Sequence, residues 1–265
     1  MWKTVDAFFA LKEALGEHLK EKLSIKEQIL LFLNSYRGKR ANKFIVYFQN
    51  YTNTYDSIDN LKKKYDEAFV DERIIGISIA TRPDCINEDV CKLLKSYLNN
   101  YYVSCELGLQ TSNNEIGNLI NRGYDSSTFT KAVLLLNKYN IDVTAHIIVG
   151  LPNETKEDVK NTLNFLNTHN IQGLKIHSCY IVKNTKLEEM YNNKMYTPIT
   201  LDYYIESVTY IISHISPNIV IHRISGDAPK DILVAPSWNL HKKWILNGIE
   251  KELKANDLWQ GKYYK

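Results

Sequence analysis

Chemistry in this chain of 265 residues has to come from few side chains: Glu106, His146, Lys175 and His177, with Arg82, His222 and Arg223 as further polar candidates. A carboxylate beside an imidazole can serve as an acid–base couple. A lysine or guanidinium can hold an anion. Isolated charges such as Glu106 and Lys175 are costly to bury, so inside a protein they need each other or a ligand. The four cysteines, Cys85, Cys91, Cys105 and Cys179, stand 6, 14 and 74 residues apart, with no CxxC and no compact cluster. Free thiols are the simpler reading, and a zinc or iron–sulfur site built only from these four is the weaker alternative.

The elements that must position these residues alternate along the chain. Short apolar strands are expected at 44–48, 74–80, 102–109, 142–149, 173–180 and 219–224. Helical patterns fall at 25–36, 57–69, 87–98, 127–139, 156–167 and 201–213. Thr155, followed by Glu157 and Asp158, supplies a capping hydroxyl and early carboxylates for its helix. Strand and helix in turn at this spacing predict a parallel sheet with right-handed crossovers, either an open doubly wound sheet or a barrel.

A parallel strand covered on both sides should read as an almost unbroken apolar run, and these do not. Val103, Cys105, Leu107 and Leu109 share one face of their strand, and Ser104, Glu106, Gly108 and Gln110 the other. Val143, Ala145, Ile147 and Val149 oppose Thr144, His146, Ile148 and Gly150 in the same way, and Leu174, Ile176 and Ser178 oppose Gly173, Lys175 and His177. Tyr47 goes with Gln49, and Ser78 with Ala80 and Arg82. One explanation is an antiparallel sheet with one wet face, which the helical connections oppose. The other is a barrel with a polar, ligand-holding lumen. Barrel enzymes build their sites at the C-terminal strand ends, where most of these polar groups fall.

Composition narrows the class without naming a partner. Hydrophobic residues make up 44% and charged residues 24% of the chain, which excludes collagen-like, disordered and coiled-coil readings. Thirty-three basic against 30 acidic residues leave a net charge of +3, too even to argue for nucleic acid or an anionic membrane. No apolar run reaches the length of a membrane span. Lys12, Glu13 and Glu17 interrupt the segment where a signal peptide would be apolar. A soluble, cytoplasmic protein is expected.

Other segments are weaker signals. Gly150 would let a flat ligand approach the backbone, or simply turn a strand into a helix. Arg82 could grip a carboxylate, or make a turn contact with Asp84. Asn121-Arg122-Gly123 could touch a ligand or end a helix, and His222 through Asp227 could close a barrel mouth or be a surface loop.

Tyr47 to Thr52 (YFQNYT), Ala80 to Cys85 (ATRPDC), Glu106 to Thr111 (ELGLQT), Asn121-Arg-Gly123, His146 to Pro152 (HIIVGLP) and Lys175-Ile-His177 stand in this order. Together they resemble the radical S-adenosylmethionine (radical SAM) superfamily, and in particular the bacterial YhcC/YtqA-type branch, similar in its radical domain to the Elongator catalytic subunit. Val182 to Thr185, His222 to Asp227 and Ala235 to Trp238 also match, so the resemblance runs from about Ile25 to Tyr264. It implies an α/β fold, a partial (β/α)6 TIM-like barrel, holding S-adenosylmethionine across the strand ends. It implies reductive cleavage of that cofactor to a 5′-deoxyadenosyl radical, acting on an unidentified substrate (RNA is one candidate), with a reductant protein as partner of the full-length enzyme. Residue by residue, the resemblance places Gln49 and Tyr51 at the methionine amino group and Arg82 at its carboxylate or at substrate. Glu106 and Gln110 fall at the ribose or methionine part, and Ile148 and Gly150 along the adenine. His146, Lys175, His177, His222 and Arg223 fall toward substrate.

One departure is large. The superfamily ligates a [4Fe–4S] cluster through three closely spaced cysteines in a loop after the first strand. Residues 1–24 hold no cysteine and read instead as an amphipathic helix, with Phe8, Leu11, Leu15, Leu19 and Leu23 on one stripe. The first strand and the cluster loop are therefore expected to be missing, with no metal ligands assigned. A truncated product or mis-called start, a fragment, and a degenerate relative all fit. A catalytically inactive module that binds S-adenosylmethionine or another small molecule, and a cluster-free barrel hydrolase or lyase using Glu106 with His146 or His177, stand as alternatives. The expected organisation is an N-terminal helical segment (1–24), a partial barrel (25–186) and a C-terminal extension (187–265), with Trp238, Trp244 and Trp259 supplying apolar area for its packing.

Overall fold

Alternating faces decide the architecture. Val103, Cys105, Leu107 and Leu109, Val143, Ala145, Ile147 and Val149, and Leu174 with Ile176 are all buried on one side of their strands, in a single large core under a layer of helices. The computed structural model describes residues 23–226 and 228–265. The helix expected over 1–24 lies, apart from its last two residues, outside the described residues, as does Asp227 of the loop after His222.

The strands are β1 (Phe44–Phe48), β2 (Ile74–Thr81), β3 (Tyr102–Gln110), β4 (Asp142–Val149), β5 (Gly173–Ser178), β6 (Ile181–Val182), β7 (Val220–Arg223) and β8 (Leu233–Ala235). The helices are α1 (Ile25–Asn34), α2 (Ile58–Asp66), α3 (Glu88–Tyr97), α4 (Asn114–Leu119), α5 (Ser126–Lys138), α6 (Lys156–Asn167), α7 (Lys186–Asn192), α8 (Leu201–His214) and α9 (Lys242–Ala255). Six strands form one sheet in the order β1-β2-β3-β4-β5-β7, and every pairing in it is parallel. This unreversed order is that of a barrel wall, since a doubly wound sheet turns back on itself at a switch point. Helix starts follow from local chemistry. Ser57, Asn87, Asp125, Thr155 and Thr200 each accept a backbone N–H at the first turn, and Thr155 forms a capping box with Asp158.

The sheet is curled. Tyr47 in β1 and Lys175 in β5 are four strand spacings apart, about 19 Å across a flat sheet. Yet the Lys175 ammonium lies 4.3 Å from the centre of the Tyr47 ring. The polar faces of the strands therefore converge on one lumen, and β1 and β7 are the two edges of a half-barrel.

Two features escaped the periodicity. Strands β6 and β8 form a separate antiparallel pair, too short for any repeat to register. They belong to a second apolar cluster, with Ile116, Leu151, Ile181, Leu187 and Tyr196, just beyond the C-terminal ends of β3, β4 and β5. Of the three tryptophans expected to pack the C-terminal segment, Trp238 does so, against Tyr204 at 5.4 Å and with its indole N–H donated to the Ile199 carbonyl at 3.2 Å. Trp244 and Trp259 stay more than half exposed, because among the described residues the solvent side of α9 and the turn after it have no layer above them.

The outward face of the wall should carry the stability. Leu107→Ala, a fully buried site, is expected to cost about 2–5 kcal/mol in chemical denaturation. Ile45→Ala on the exposed edge should stay within about 0.5 kcal/mol.

Candidate functional site

Glu106 stands in the middle of β3, facing the lumen and only 6% exposed. A buried carboxylate is stable only if its oxygens are satisfied, and four side chains from four other strands do this. Tyr47 of β1 donates its hydroxyl to Oε2 at 2.7 Å, and Ser78 of β2 donates to Oε1 at 3.1 Å. His146 of β4 reaches Oε2 from Nε2 at 2.6 Å. Lys175 of β5 bridges both oxygens from Nζ, at 2.7 and 2.5 Å. Ser104 continues the chain of hydrogen bonds by donating to Ser78 at 3.0 Å.

Register explains why these five meet. Tyr47 pairs with Ser78, Ala80 with Glu106, Gly108 with His146, and His146 with Lys175 across successive ladders. In-register residues of a parallel sheet share a face. Burial alone would push the Glu106 carboxyl upward. The hydrogen bonds from His146 and Lys175 prevail and hold it well below the usual carboxylate range. Tyr47 moves the other way: desolvation, and then the Glu106 charge, raise its hydroxyl far above the ordinary tyrosine value.

His177, one step further along β5, stacks on His146 with ring centres 5.3 Å apart. Its Nε2 is out of reach of solvent and has no hydrogen-bond partner. Desolvation, followed by the nearby His146, Arg223 and Lys175, brings His177 down to about 3, so the ring is neutral at physiological pH. His222 is exposed toward the other end of the lumen, where a side chain on Gly173 would strike its ring at 2.7 Å. Arg223 pairs in register with Lys175.

The remaining sequence candidates lie around this network. Gln49 is exposed beyond β1 and lines a cleft of about 810 Å³ between β1 and α1. Tyr51 is 65% exposed, with a left-handed φ of 61°. Arg82 makes the turn contact: its guanidinium holds the Asp84 carboxylate at 2.9 and 2.7 Å, stacks over Tyr124 and donates to the Arg122 carbonyl. Gln110 sits at the end of β3 beside the Tyr124 hydroxyl. Ile148 packs on the second apolar cluster. Gly150 has φ +91°, and a Cβ there would come within 2.7 Å of Ile199, which covers that face. Arg122 is buried and braces the end of β3 by donating to the carbonyls of Leu109, Thr111 and Tyr124.

Sequence reasoning passed over Tyr47 and Ser78 as ligands of Glu106, although their place on the polar face of their strands was a usable signal. It also passed over Glu154. Glu154 accepts the Gly150 amide at 2.5 Å, and burial pushes its carboxyl up to about 8.

The cysteines do not converge. Cys85 lies in the 3₁₀ turn after β2, Cys91 on α3, Cys105 on the outward face of β3 and Cys179 beyond β5. Burial pushes Cys91 up to about 11 and Cys179 up to about 12, and raises Cys85 and Cys105 as well. Among the described residues, no three His, Cys, Asp or Glu side chains are grouped to hold a metal ion. No helix there is long and apolar enough to cross a membrane.

The Radical SAM superfamily model matches residues 16–166, and the Radical_SAM C-terminal domain model matches residues 171–255. YtqA of Bacillus subtilis is 35% identical over 226 residues, 85% of this chain and 70% of that protein. YhcC of Escherichia coli is 32% identical over 226 residues, 85% of this chain and 72% of that protein. Among solved structures, the archaeal Elp3 of Methanocaldococcus infernus with an N-terminal deletion aligns with a TM-score of 0.73 at 21% identity, covering 89% of this chain and 59% of that one.

Removing one donor tests the network. Lys175→Met should destabilise the chain by about 3 kcal/mol at pH 7, the lower end for orphaning a buried ionic partner, because Tyr47, Ser78 and His146 still donate. Glu106→Gln in the same chain should recover most of the loss. The sign with pH follows from the depressed carboxyl. Its stabilisation is complete above the unfolded value of 4.5 and is lost as pH falls below it. That acid limb should shrink in Lys175→Met when urea midpoints are measured against pH.

Proposed function

The chain belongs to the radical SAM superfamily, in the branch of YtqA and YhcC, and from that premise we propose that it is the cofactor-binding barrel of a radical SAM enzyme, in a form that does not itself ligate a [4Fe–4S] cluster. The observation that carries this reading is the satisfied Glu106 carboxylate in the lumen of a parallel half-barrel, on a wall lined by polar side chains from every strand around it.

The lumen suits S-adenosylmethionine. His177 Nε2 is a buried polar atom without a partner, the kind of vacancy a ligand fills. Glu106 can accept from a ribose hydroxyl or an ammonium group in place of one of its present donors, and Gln110 stands at the end of the same strand. Gln49 and Tyr51 stand at the mouth for the methionine amino group. Ile148 and Gly150 border the adenine side, and Arg82 remains available to a carboxylate only by releasing Asp84. His146, Lys175, His177, His222 and Arg223 face substrate. S-adenosylmethionine supplies hydrogen-abstraction chemistry once an iron–sulfur cluster has reduced it.

The cluster itself does not suit the residues present. The four cysteines stand on four separate elements, and no three of them share the locus that iron needs. In this reading the polypeptide binds the cofactor and orients its ligands, and the reducing equivalent enters only in an enzyme that carries cluster ligands and meets a reductant protein. A cluster-free hydrolase or lyase pairing Glu106 with His177 is disfavoured. A carboxylate held as low as Glu106 is a weak base and has no proton to give, and a histidine at about 3 is no acid near neutrality.

Calorimetry with S-adenosylmethionine tests the binding half. Saturable binding is expected, weakened about tenfold in Glu106→Gln through loss of a charge-assisted hydrogen bond. No 5′-deoxyadenosine should form after anaerobic reconstitution with dithionite. Absence of binding would overturn the cofactor reading, and 5′-deoxyadenosine formed in proportion to enzyme would overturn the statement about the cluster.

A further inference from the structure

The wall of the half-barrel is unevenly covered on its outer side. Most residues of β2, β3, β4 and β5 are buried, whereas in β1 only Phe48 is. Phe48 packs on Tyr65 of α2, with ring centres 5.3 Å apart. Phe44 and Val46, which share its face of the strand, are only part-buried. Helix α1 is the layer beside them, yet six of its ten residues are apolar and only Leu33 is buried. Phe32 meets Phe44 edge-on at 6.0 Å and still stays 49% exposed. Between the two elements runs the cleft of about 810 Å³, lined by Ile25, Ile29, Phe32, Phe44 and Val46. Native interiors are close-packed, and an apolar opening of this size is no packing fault. It lies along an edge strand, which among the described residues has a partner on one side only.

One segment of the chain has the form this gap requires. In the sequence before Leu23, Phe8, Leu11, Leu15 and Leu19 fall on one stripe of a helical repeat. From Phe8 to Leu23 that repeat measures about 22 Å, against about 17 Å for the five residues of β1. The point of attachment suits as well. Ser24 caps α1 in an extended conformation, so the chain before it leaves the axis of that helix. Gln28, on the rim of the cleft, donates its side-chain amide to the Leu23 carbonyl at 2.9 Å. The preceding residues therefore start at the cleft. A segment tethered there acts at about millimolar effective concentration, an advantage over any separate partner.

We propose that residues 8–22 complete the outer helix layer, docking as an amphipathic helix in the α1–β1 cleft with their apolar stripe against Phe32, Phe44 and Val46. Docked there, the segment covers the outer face of β1 and blocks strand addition by a second chain at that edge. It also steadies a strand whose opposite face carries Tyr47, a donor to Glu106. Glu13, Glu17 and Lys20, off the stripe, stay toward solvent.

The test places the photo-reactive amino acid p-benzoylphenylalanine at Phe32 of the full chain and maps the crosslinks by mass spectrometry. Intrachain products to residues 8–19 are expected, in equal yield at low and high protein concentration. Amide hydrogen exchange on the full chain gives a second readout. Leu15→Lys should speed exchange in residues 25–33 and 44–46 about tenfold, the order for one leucine withdrawn from an apolar contact, while β3 and β4 keep their protection. Glu13→Gln, on the far side of the stripe, should change neither. Absence of a crosslink to residues 8–19 would overturn the proposal, as would unchanged exchange in Leu15→Lys. Products between chains that grow with concentration would also overturn it, and would assign the cleft to a second copy. If Leu15→Lys loses protection in β3 and β4 too, the variant has failed to fold and the crosslink map decides.

Discussion

A carboxylate buried in the middle of a sheet is the constraint around which this molecule is arranged. Glu106 is tolerable there only because donors from β1, β2, β4 and β5 reach it at hydrogen-bonding distance. Tyr47 and Lys175 could not both reach it across a flat sheet, so curvature, register and the ionic network are mutually dependent. The apolar outer faces and the helix layer supply the stability that lets the inner face remain polar. Replacing such a cluster with hydrophobic residues is often neutral or stabilising. Its presence here is therefore better explained by a ligand than by stability.

Much of this was legible in the residue order. The alternation in 102–109, 142–149 and 173–178 separates the helix-covered face from the lumen face residue by residue, and it placed Glu106, His146, Lys175 and His177 on one surface. What alternation cannot say is which members of that surface touch. Contacts depend on strand stagger and curl, and these are set by long-range pairing. Tyr47 and Ser78 consequently emerged as ligands of Glu106 only with the register. The contact between Arg82 and Asp84 was one of two readings of a local turn, and geometry draws it. Gly150 had two readings as well; its φ of +91° makes the turn, and Ile199, nearly fifty residues away, packs where a Cβ would stand. The β6–β8 pair and the solvent-facing Trp244 and Trp259 left no periodic signal, because two- and three-residue strands and single aromatics carry none.

The fold and the cysteines pull in different directions. The radical SAM-type wall, the polar lumen and the relationship to YtqA and YhcC all point to a family whose chemistry starts at an iron–sulfur cluster. Thiols on an outer strand face, an outer helix, a 3₁₀ turn and a buried segment past β5 serve packing. Cys91, Cys105 and Cys179 are buried core residues, whereas Cys85 is half-buried. Binding of the organic cofactor and supply of the electron are thus separable properties.

The most direct measurement is iron and acid-labile sulfide per chain after strictly anaerobic reconstitution and desalting. Near-zero iron is predicted, because no three of these cysteines share a locus. About four irons per chain, the content of a [4Fe–4S] cluster, would contradict the account and mean that the separated cysteines assemble a site that this fold does not display.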